Sequence, residues 1–212
     1  MYISNEFSRL EINLNGCLEN YRYFRSRLEA STRLLVLVKA NAYGHGAVQF
    51  ASLMEQAGAD YLAVAYPVEG IELRQAGIKS PIMVLTAGTD SFEQIVNYGL
   101  EPGIPNMYSL KILCGVLEKR GIRDFPVHIK IDTGMHRLGF MSDELPELFE
   151  FLSSCISVKV KSVYSHLAAA DDPSCDDFTL GQVRLFKESA DRLTDAIGYK
   201  PIYHILNSAG IE

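Results

Sequence analysis

Lys39 is the residue of this chain whose position most clearly suggests chemistry. An apolar run at residues 34–38 leads directly into it, and the letters KANAYGHG then run from Lys39 to Gly46. This is the pattern of a buried parallel strand that delivers a side chain to the start of a βα loop, where α/β enzymes carry catalytic groups. A desolvated lysine amine is a nucleophile, and such lysines form Schiff bases with pyridoxal phosphate or with carbonyl substrates. A salt-bridged or snorkelling structural lysine is the alternative.

A second candidate group lies in the segment HIKIDTGMHRLGF, residues 128–140. An apolar strand there runs into an Asp-Thr-Gly turn and then presents Arg137. A guanidinium fixed near the carboxyl end of a strand suits a phenolate or a carboxylate, because it donates paired hydrogen bonds. An arginine that only stabilises the turn is the alternative.

Two further segments follow predicted strands. His166 lies in YSHLA, and a lone histidine at a strand end is more often structural than catalytic. Residues 204–211 read HILNSAGI, and the Ser208 hydroxyl with the backbone N–H groups beside it suits a phosphate. By itself this turn is a weak signal, because Asn-Ser-Gly turns are common.

The elements that must position these groups alternate short β-rich runs with amphipathic stretches, which predicts βα units and a parallel sheet. We predict strands at residues 34–39, 61–65, 82–85, 100–104, 127–131, 158–164 and 203–206. We predict helices at residues 47–57, 67–76, 91–98, 109–120 and 182–197, each ending at a glycine. Upstream, residues 10–14 alternate like an exposed strand, and a helix is predicted at residues 16–28.

Seven strands in succession are one short of a (β/α)8 barrel. We therefore expect an α/β fold of the TIM-barrel type, incomplete, with about seven βα units in one domain over residues 1–212. Because the chain stops directly after the seventh strand and its turn, we expect it to be a piece of a longer polypeptide. A seven-stranded open sheet is the alternative.

Composition narrows the classes of partner. The 212 residues have a net charge of −6 and no basic patch interleaved with aromatic residues, so no nucleic-acid partner is expected. The apolar runs are too short to cross a membrane and residues 1–6 do not resemble a signal peptide, which predicts a cytoplasmic protein. The four cysteines lack metal-ligand spacing, so we expect no metal site and free, mostly buried thiols: Cys17, Cys114, Cys155 and Cys175.

The four segments quoted above, taken together, resemble the bacterial alanine racemases. KANAYGHG is similar to their cofactor-lysine motif, and residues 130–140 to their motif KIDTGMHRLGF; YSHLA and NSAG follow in the same order. The resemblance runs from Leu10 to Ile211. It implies the N-terminal, pyridoxal 5′-phosphate-binding barrel domain of an isomerase. Such an enzyme interconverts L- and D-alanine, supplies D-alanine for cell-wall peptidoglycan and acts as a homodimer.

The resemblance also implies roles for individual side chains. Lys39 holds the cofactor and acts as one catalytic base. Arg137 contacts the phenolic oxygen of the cofactor and helps to hold the substrate carboxylate. His166 packs against the cofactor ring, and Lys130 matches a lysine that braces the arginine and carries a carboxylate modification in several members.

The phosphate end of the cofactor involves a second set of residues. The resemblance implies that Tyr43 and Ser208 bind the phosphate from opposite sides, with Asn207 beside them. Family members take a second base, a tyrosine, from the C-terminal domain of the partner subunit, and nothing here matches its surroundings. We therefore expect racemase activity of the full-length protein and little from this chain alone. The alternatives are a single-domain pyridoxal-phosphate homeostasis barrel, or a broad-specificity amino-acid racemase or decarboxylase of the same superfamily.

Overall fold

A computed structural model describes residues 10–212 of the chain. Its centre is one parallel sheet of seven strands, hydrogen-bonded to one another in chain order. The strands are β1 (Leu35–Leu37), β2 (Tyr61–Val64), β3 (Ile82–Val84), β4 (Glu101–Ile104), β5 (Phe125–Lys130), β6 (Val158–Tyr164) and β7 (Ile202–His204). All seven predicted strands are confirmed, with small shifts at their ends.

Helices connect the successive strands, and one more lies before β1 and one after β7. They are α1 (Leu14–Ser26), α2 (Lys39–Tyr43), α3 (Ala47–Gln56), α4 (Pro67–Gln75), α5 (Phe92–Asn97), α6 (Met107–Lys119), α7 (Leu145–Ser154), α8 (Asp176–Ile197) and α9 (Ser208–Ile211). The glycines predicted to end helices all have positive φ and lie at or directly after the C-cap: Gly58, Gly77, Gly99, Gly121 and Gly198. Within residues 10–212, no helix is both long and apolar enough to cross a membrane.

The segment before β1 and the segment between β5 and β6 both differ from the sequence-based prediction. The strand predicted at residues 10–14 is wrong, because α1 begins at Leu14 and the Asn13 side chain accepts a hydrogen bond from the Gly16 N–H. This N-cap stabilises the first turn and ends the extended segment early. Helix α7 was not predicted, although its buried residues recur at helical spacing: Leu145, Leu148 and Leu152.

The sheet has a larger apolar core on its outer face and a smaller one on its inner face. The outer core packs the strands against the helices, with residues such as Leu62, Val84 and Ile129 fully buried. The inner cluster contains Ala63, Met83 and Tyr164. Among the described residues, β1 and β7 each pair with one neighbour only, so the sheet is a curled, incomplete barrel, as predicted.

The interior of the curl also holds a chain of polar side chains contributed by five strands. The Tyr61 hydroxyl donates to Glu101 Oε2 at 3.2 Å, and His128 Nε2 lies 3.0 Å from the same oxygen. Ser162 Oγ lies 2.7 Å from His128 Nδ1 and 3.1 Å from His204 Nε2. These buried and half-buried polar groups therefore provide hydrogen-bond partners for one another. The bonds offset the cost of burying polar atoms and also favour one specific arrangement of the interior.

The cysteines are free thiols, as expected, but they are less buried than predicted. Only Cys114 is buried; Cys17, Cys155 and Cys175 are half-buried.

The polar interior leads to a prediction about pH. Burial, then the neighbouring His128 and Lys130, lowers the pKa of His204 from 6.5 to about 3. A group whose pKa is lower in the folded state contributes stability above its unfolded pKa, and that stability is lost as pH falls through the interval between the two values. We predict that the free energy of unfolding falls from pH 6.5 towards pH 3 and that His204→Gln reduces this slope. Urea denaturation of both proteins across that pH range measures the free energy of unfolding, with pH 8 as the common baseline. An equal slope in both proteins would contradict the assignment.

Candidate active site

The residues predicted to form the site follow the carboxyl ends of four strands. Lys39 follows β1, Arg137 follows β5, His166 follows β6, and Asn207 and Ser208 follow β7. Because the strands are parallel, these ends lie at one edge of the sheet, which is where such folds bind ligands.

Lys39 precedes a turn of unusual handedness. Ala40, Asn41, Ala42 and Tyr43 have φ between 50° and 55°, so α2 is a left-handed turn. A left-handed conformation costs roughly 1–2 kcal/mol for each residue that has a Cβ. Strain of this kind persists only where the surroundings fix the backbone, and it is concentrated at functional sites.

Glu69 of α4 is one of the groups that fix this turn. Its Oε1 accepts from the Ala40 N–H at 2.6 Å, while its Oε2 accepts from the N–H groups of Ala65 (2.7 Å) and Tyr66 (3.0 Å). The carboxylate therefore ties the backbone after Lys39 to the end of β2. Glu69 was not predicted from the sequence, although proline followed two residues later by glutamate is a recognisable helix start.

Inside the turn, Asn41 provides a second anchor. Its Oδ1 accepts from the Ala47 N–H at 2.7 Å, which connects the turn to the start of α3. The Lys39 side chain is half-buried rather than buried, and its Nζ lies 5.8 Å from the centre of the exposed Tyr43 ring. The structure therefore places Lys39 and Tyr43 on the same turn, and their contacts with a cofactor stay predictions.

The loop that carries Arg137 is shaped by Asp132. This buried carboxylate accepts from the Gly134 N–H at 2.9 Å and the His136 N–H at 3.0 Å. Gly139 has φ +129°, and a Cβ there would lie 2.6 Å from the Asp132 backbone nitrogen. The chain then returns to β5 through the Phe140 N–H, which donates to the Lys130 carbonyl at 2.9 Å, and Arg137 within this loop is exposed.

Gln182 of α8 connects the loops that follow β5 and β6. Its Nε2 donates to the His166 carbonyl at 3.1 Å and to Thr133 Oγ1 at 3.3 Å, and its Oε1 accepts from the Ala168 N–H at 3.0 Å. The residue is fully buried, and each polar atom of its amide is used. Gln182 was not predicted from the sequence, because a single glutamine within a helical pattern carries no signal of contacts to two distant loops.

Positive charge accumulates around His166. Burial lowers its pKa, and the nearby Lys130, Arg137 and Lys39 lower it further in that order. Burial, followed by Arg137, also lowers the pKa of Lys130, with Asp132 acting in the opposite sense. In residues 10–212 none of these three cations forms an ion pair. An anionic ligand placed among them would relieve their mutual repulsion.

The segment after β7 lies close to the loop after β6. Asn207 Oδ1 accepts from the Gly210 N–H at 2.9 Å, and its Nδ2 donates to the Leu167 carbonyl at 3.5 Å. Asn207 is thus the N-cap of α9 and connects this helix to the loop after β6. A direct contact of Asn207 with a cofactor stays a prediction. Ser208 is exposed, and its hydroxyl has no hydrogen-bond partner among the described residues.

Comparison with known proteins identifies one family. Residues 12–212 match the family described as "Alanine racemase, N-terminal domain". Alanine racemase of Synechocystis sp. is 39% identical over 202 residues, which are 94% of this chain and 54% of the relative. Alanine racemase of Thermodesulfovibrio yellowstonii is 36% identical over 211 residues, which are 98% of this chain and 56% of that relative.

Solved structures agree with the sequence comparison. Alanine racemase of Clostridium difficile in complex with cycloserine superposes with a TM-score of 0.88 at 33% identity, covering 94% of this chain and 55% of that one. Alanine racemase of Bartonella henselae with covalently bound pyridoxal phosphate superposes with a TM-score of 0.84 at 28% identity, covering 94% and 56%. The chain thus spans about half the length of the curated relatives that it matches.

The left-handed turn leads to a prediction for Ala40, which is exposed. Glycine adopts positive φ without a Cβ penalty, so Ala40→Gly should raise the free energy of unfolding by about 1 kcal/mol. Ala196→Gly, in the right-handed α8, should lower it by about 1 kcal/mol. Thermal or urea denaturation compares the two variants. If both lose the same stability, residue 40 is not held in a left-handed conformation.

A second prediction concerns Glu69. A glutamine amide cannot accept three N–H groups, so Glu69→Gln should lower the free energy of unfolding by about 1–3 kcal/mol. Glu72→Gln is the matched control, because Glu72 is an exposed residue of the same helix, and it should change stability by less than about 0.5 kcal/mol. Urea denaturation of the two variants measures the difference. Equal effects would show that the carboxylate of Glu69 does not hold the turn.

Proposed function

Since this chain belongs to the alanine racemase family, we propose that it forms the pyridoxal-phosphate-binding part of an enzyme that interconverts L- and D-alanine. The observation that carries the proposal is the group of cations around His166 (Lys39, Lys130 and Arg137), without an ion-pair partner in residues 10–212. The curated relatives named above and the solved structures support the same activity.

The residues at this edge of the sheet fit pyridoxal 5′-phosphate chemically. Bound there, the cofactor supplies an aldehyde for a lysine amine and a conjugated ring that accepts negative charge from the α-carbon of the substrate. Its phosphate and phenolic oxygen are anionic, and the mouth of the barrel is cationic. Lys39 would hold the aldehyde carbon and Arg137 the phenolic oxygen. Tyr43 and Ser208 would hold the phosphate, and Asn207 would fix the backbone at the start of α9.

The protein side chains then have distinct tasks. Lys39, released from the cofactor, would accept or return the α-proton on the face of the substrate that it approaches. Arg137 would bind the alanine carboxylate through its guanidinium. Burial, and then the surrounding cations, lower the pKa of His166, which suits packing against a ring better than proton donation. Lys130 would act through Arg137, since the charge of Arg137 lowers the pKa of Lys130.

Inversion at the α-carbon needs a second group on the opposite face, because one amine cannot reach both sides of a planar carbon. We therefore propose that this chain holds the cofactor but does not by itself racemise alanine at a useful rate. A homodimer, a cytoplasmic location and a role in supplying D-alanine for peptidoglycan rest on the family resemblance and stay predictions.

The test combines cofactor trapping with an activity assay. The purified chain is mixed with pyridoxal phosphate, reduced with borohydride and digested, and the modified peptide is identified by mass spectrometry. We predict a visible absorbance band, an adduct on Lys39, and loss of both in Lys39→Ala but not in Lys119→Ala, an exposed lysine of α6. An adduct spread over several lysines would contradict the proposed cofactor site.

Activity is measured as D-alanine formed from L-alanine. We expect none above background from the chain alone. We expect formation of D-alanine from a chimera in which the chain is joined to the part of the Synechocystis relative that the match leaves uncovered. A chimera that folds and binds the cofactor on Lys39 but forms no D-alanine would overturn the proposed reaction.

A further inference from the structure

Two cysteines that are distant in sequence meet beside the outer helices. Cys114 lies in α6, and Cys155 is the C-cap residue of α7, 41 residues later. Their Sγ atoms are 3.6 Å apart. The same two helices are joined on their exposed side by an ion pair between Lys111 Nζ and Glu147 Oε1 at 2.8 Å. The approach of the sulfur atoms is therefore part of a helix–helix contact.

The two sulfur atoms have different surroundings. A hydrogen bond from Cys114 and the backbone N–H groups of Ser157 and Val158 lower the pKa of Cys155, whereas burial and Glu118 raise it. The pKa of Cys114 is raised by that same hydrogen bond, by burial and by the charge of Cys155. Cys155 is thus suited to be the thiolate, and Cys114 the thiol that donates to it.

Cys155 also has a route to solvent. It lines an open cleft together with Arg123, Lys159 and Tyr199. The cleft lies before β5, β6 and β7, at the amino ends of the strands. Lys39 and Arg137 lie at the opposite edge of the sheet. A small reagent can therefore approach Cys155 without entering the candidate active site, whereas Cys114 is buried behind it.

We propose that Cys114 and Cys155 form a redox-active thiol pair, which a hydroperoxide oxidises to a disulfide and a small thiol reduces. The Cys155 thiolate attacks one peroxide oxygen, the O–O bond breaks, and a sulfenic acid forms while hydroxide or alkoxide leaves and takes up a proton. The Cys114 sulfur then attacks the Cys155 sulfur and gives up its proton, the S–O bond breaks, and water leaves. Two thiols and one hydroperoxide thus become a disulfide, water and an alcohol, or two waters for hydrogen peroxide.

The geometry favours a redox-active pair over a metal site or a structural disulfide. A disulfide needs an S–S distance of about 2.05 Å, so the sulfur atoms must come closer than the 3.6 Å that separates the two thiols. Within residues 10–212, no group of three or more His, Cys, Asp and Glu residues is arranged to hold a metal ion. In reducing compartments such cysteine pairs stay reduced until an oxidant reaches them, which is the behaviour of a sensor rather than of a structural bridge.

The test uses the full chain with Cys17→Ser and Cys175→Ser, so that only the proposed pair remains. After treatment with hydrogen peroxide, we expect both thiols to disappear and the mass to fall by two hydrogen atoms. A Cys114–Cys155 linked peptide should appear in a non-reducing digest, and dithiothreitol should restore both thiols. The oxidised chain should unfold several degrees higher than the reduced one, because the cross-link restricts the unfolded state.

Single substitutions test the order of the steps. In Cys114→Ser, dimedone should trap a sulfenic acid on Cys155, because no resolving thiol remains. In Cys155→Ser, Cys114 should react at least tenfold more slowly under the same conditions. The chain with its four natural cysteines should give the same linked peptide, which removes any dependence on how well the variants fold.

Three results would overturn the proposal. One is retention of both thiols under conditions that oxidise an exposed control thiol. Another is a linked peptide that joins different cysteines, or two chains. The third is faster trapping of Cys114 than of Cys155, which would contradict the assignment of the attacking sulfur.

Discussion

Parallel pairing of the seven strands in chain order is the constraint on which the candidate active site depends. Each strand points its carboxyl end to the same edge, so the charge of Lys39 lowers the pKa of His166, although the two residues are more than 100 positions apart in the sequence. The outer apolar core fixes the strands, and the loops add the functional groups. Stability and chemistry are thus assigned to different parts of each βα unit, as is general for barrel folds.

Backbone-binding side chains hold the loops at that edge. Glu69, Asp132 and Gln182 each accept or donate at several positions, and none is a candidate to contact a ligand. They fix a left-handed turn, the loop of Arg137 and the loops after β5 and β6. With these loops fixed, the cations at the mouth stay close together despite their repulsion, and an anionic ligand then meets preorganised charge rather than drawing flexible side chains together.

The sequence was sufficient for the strands, for most helices and for the location of Lys39, Arg137, His166 and Ser208. The strands and helices depend on local signals, namely apolar runs and glycines at helix ends. The four side chains were singled out by the resemblance of their motifs, because a histidine or an Asn-Ser turn after a strand is by itself a weak signal. The sequence was not sufficient for contacts between distant segments. The polar chain from Tyr61 to His204 joins five strands, and the Cys114–Cys155 pair joins two helices, without any spacing that would reveal them. The strand predicted at residues 10–14 was wrong because one asparagine cap outweighed an alternating pattern.

The left-handed turn after Lys39 restricts which amino acids the segment accepts. A β-branched side chain at residue 40 or 42 would be placed where its branches collide with the neighbouring carbonyl groups, whereas alanine, asparagine and glycine avoid the worst of that collision. The sequence Ala-Asn-Ala after the lysine therefore reflects the left-handed backbone conformation as much as the reactivity of the segment. A substitution such as Ala42→Val, which alters no charge or reactive group, would disturb the backbone of this segment more than many substitutions that alter its charge.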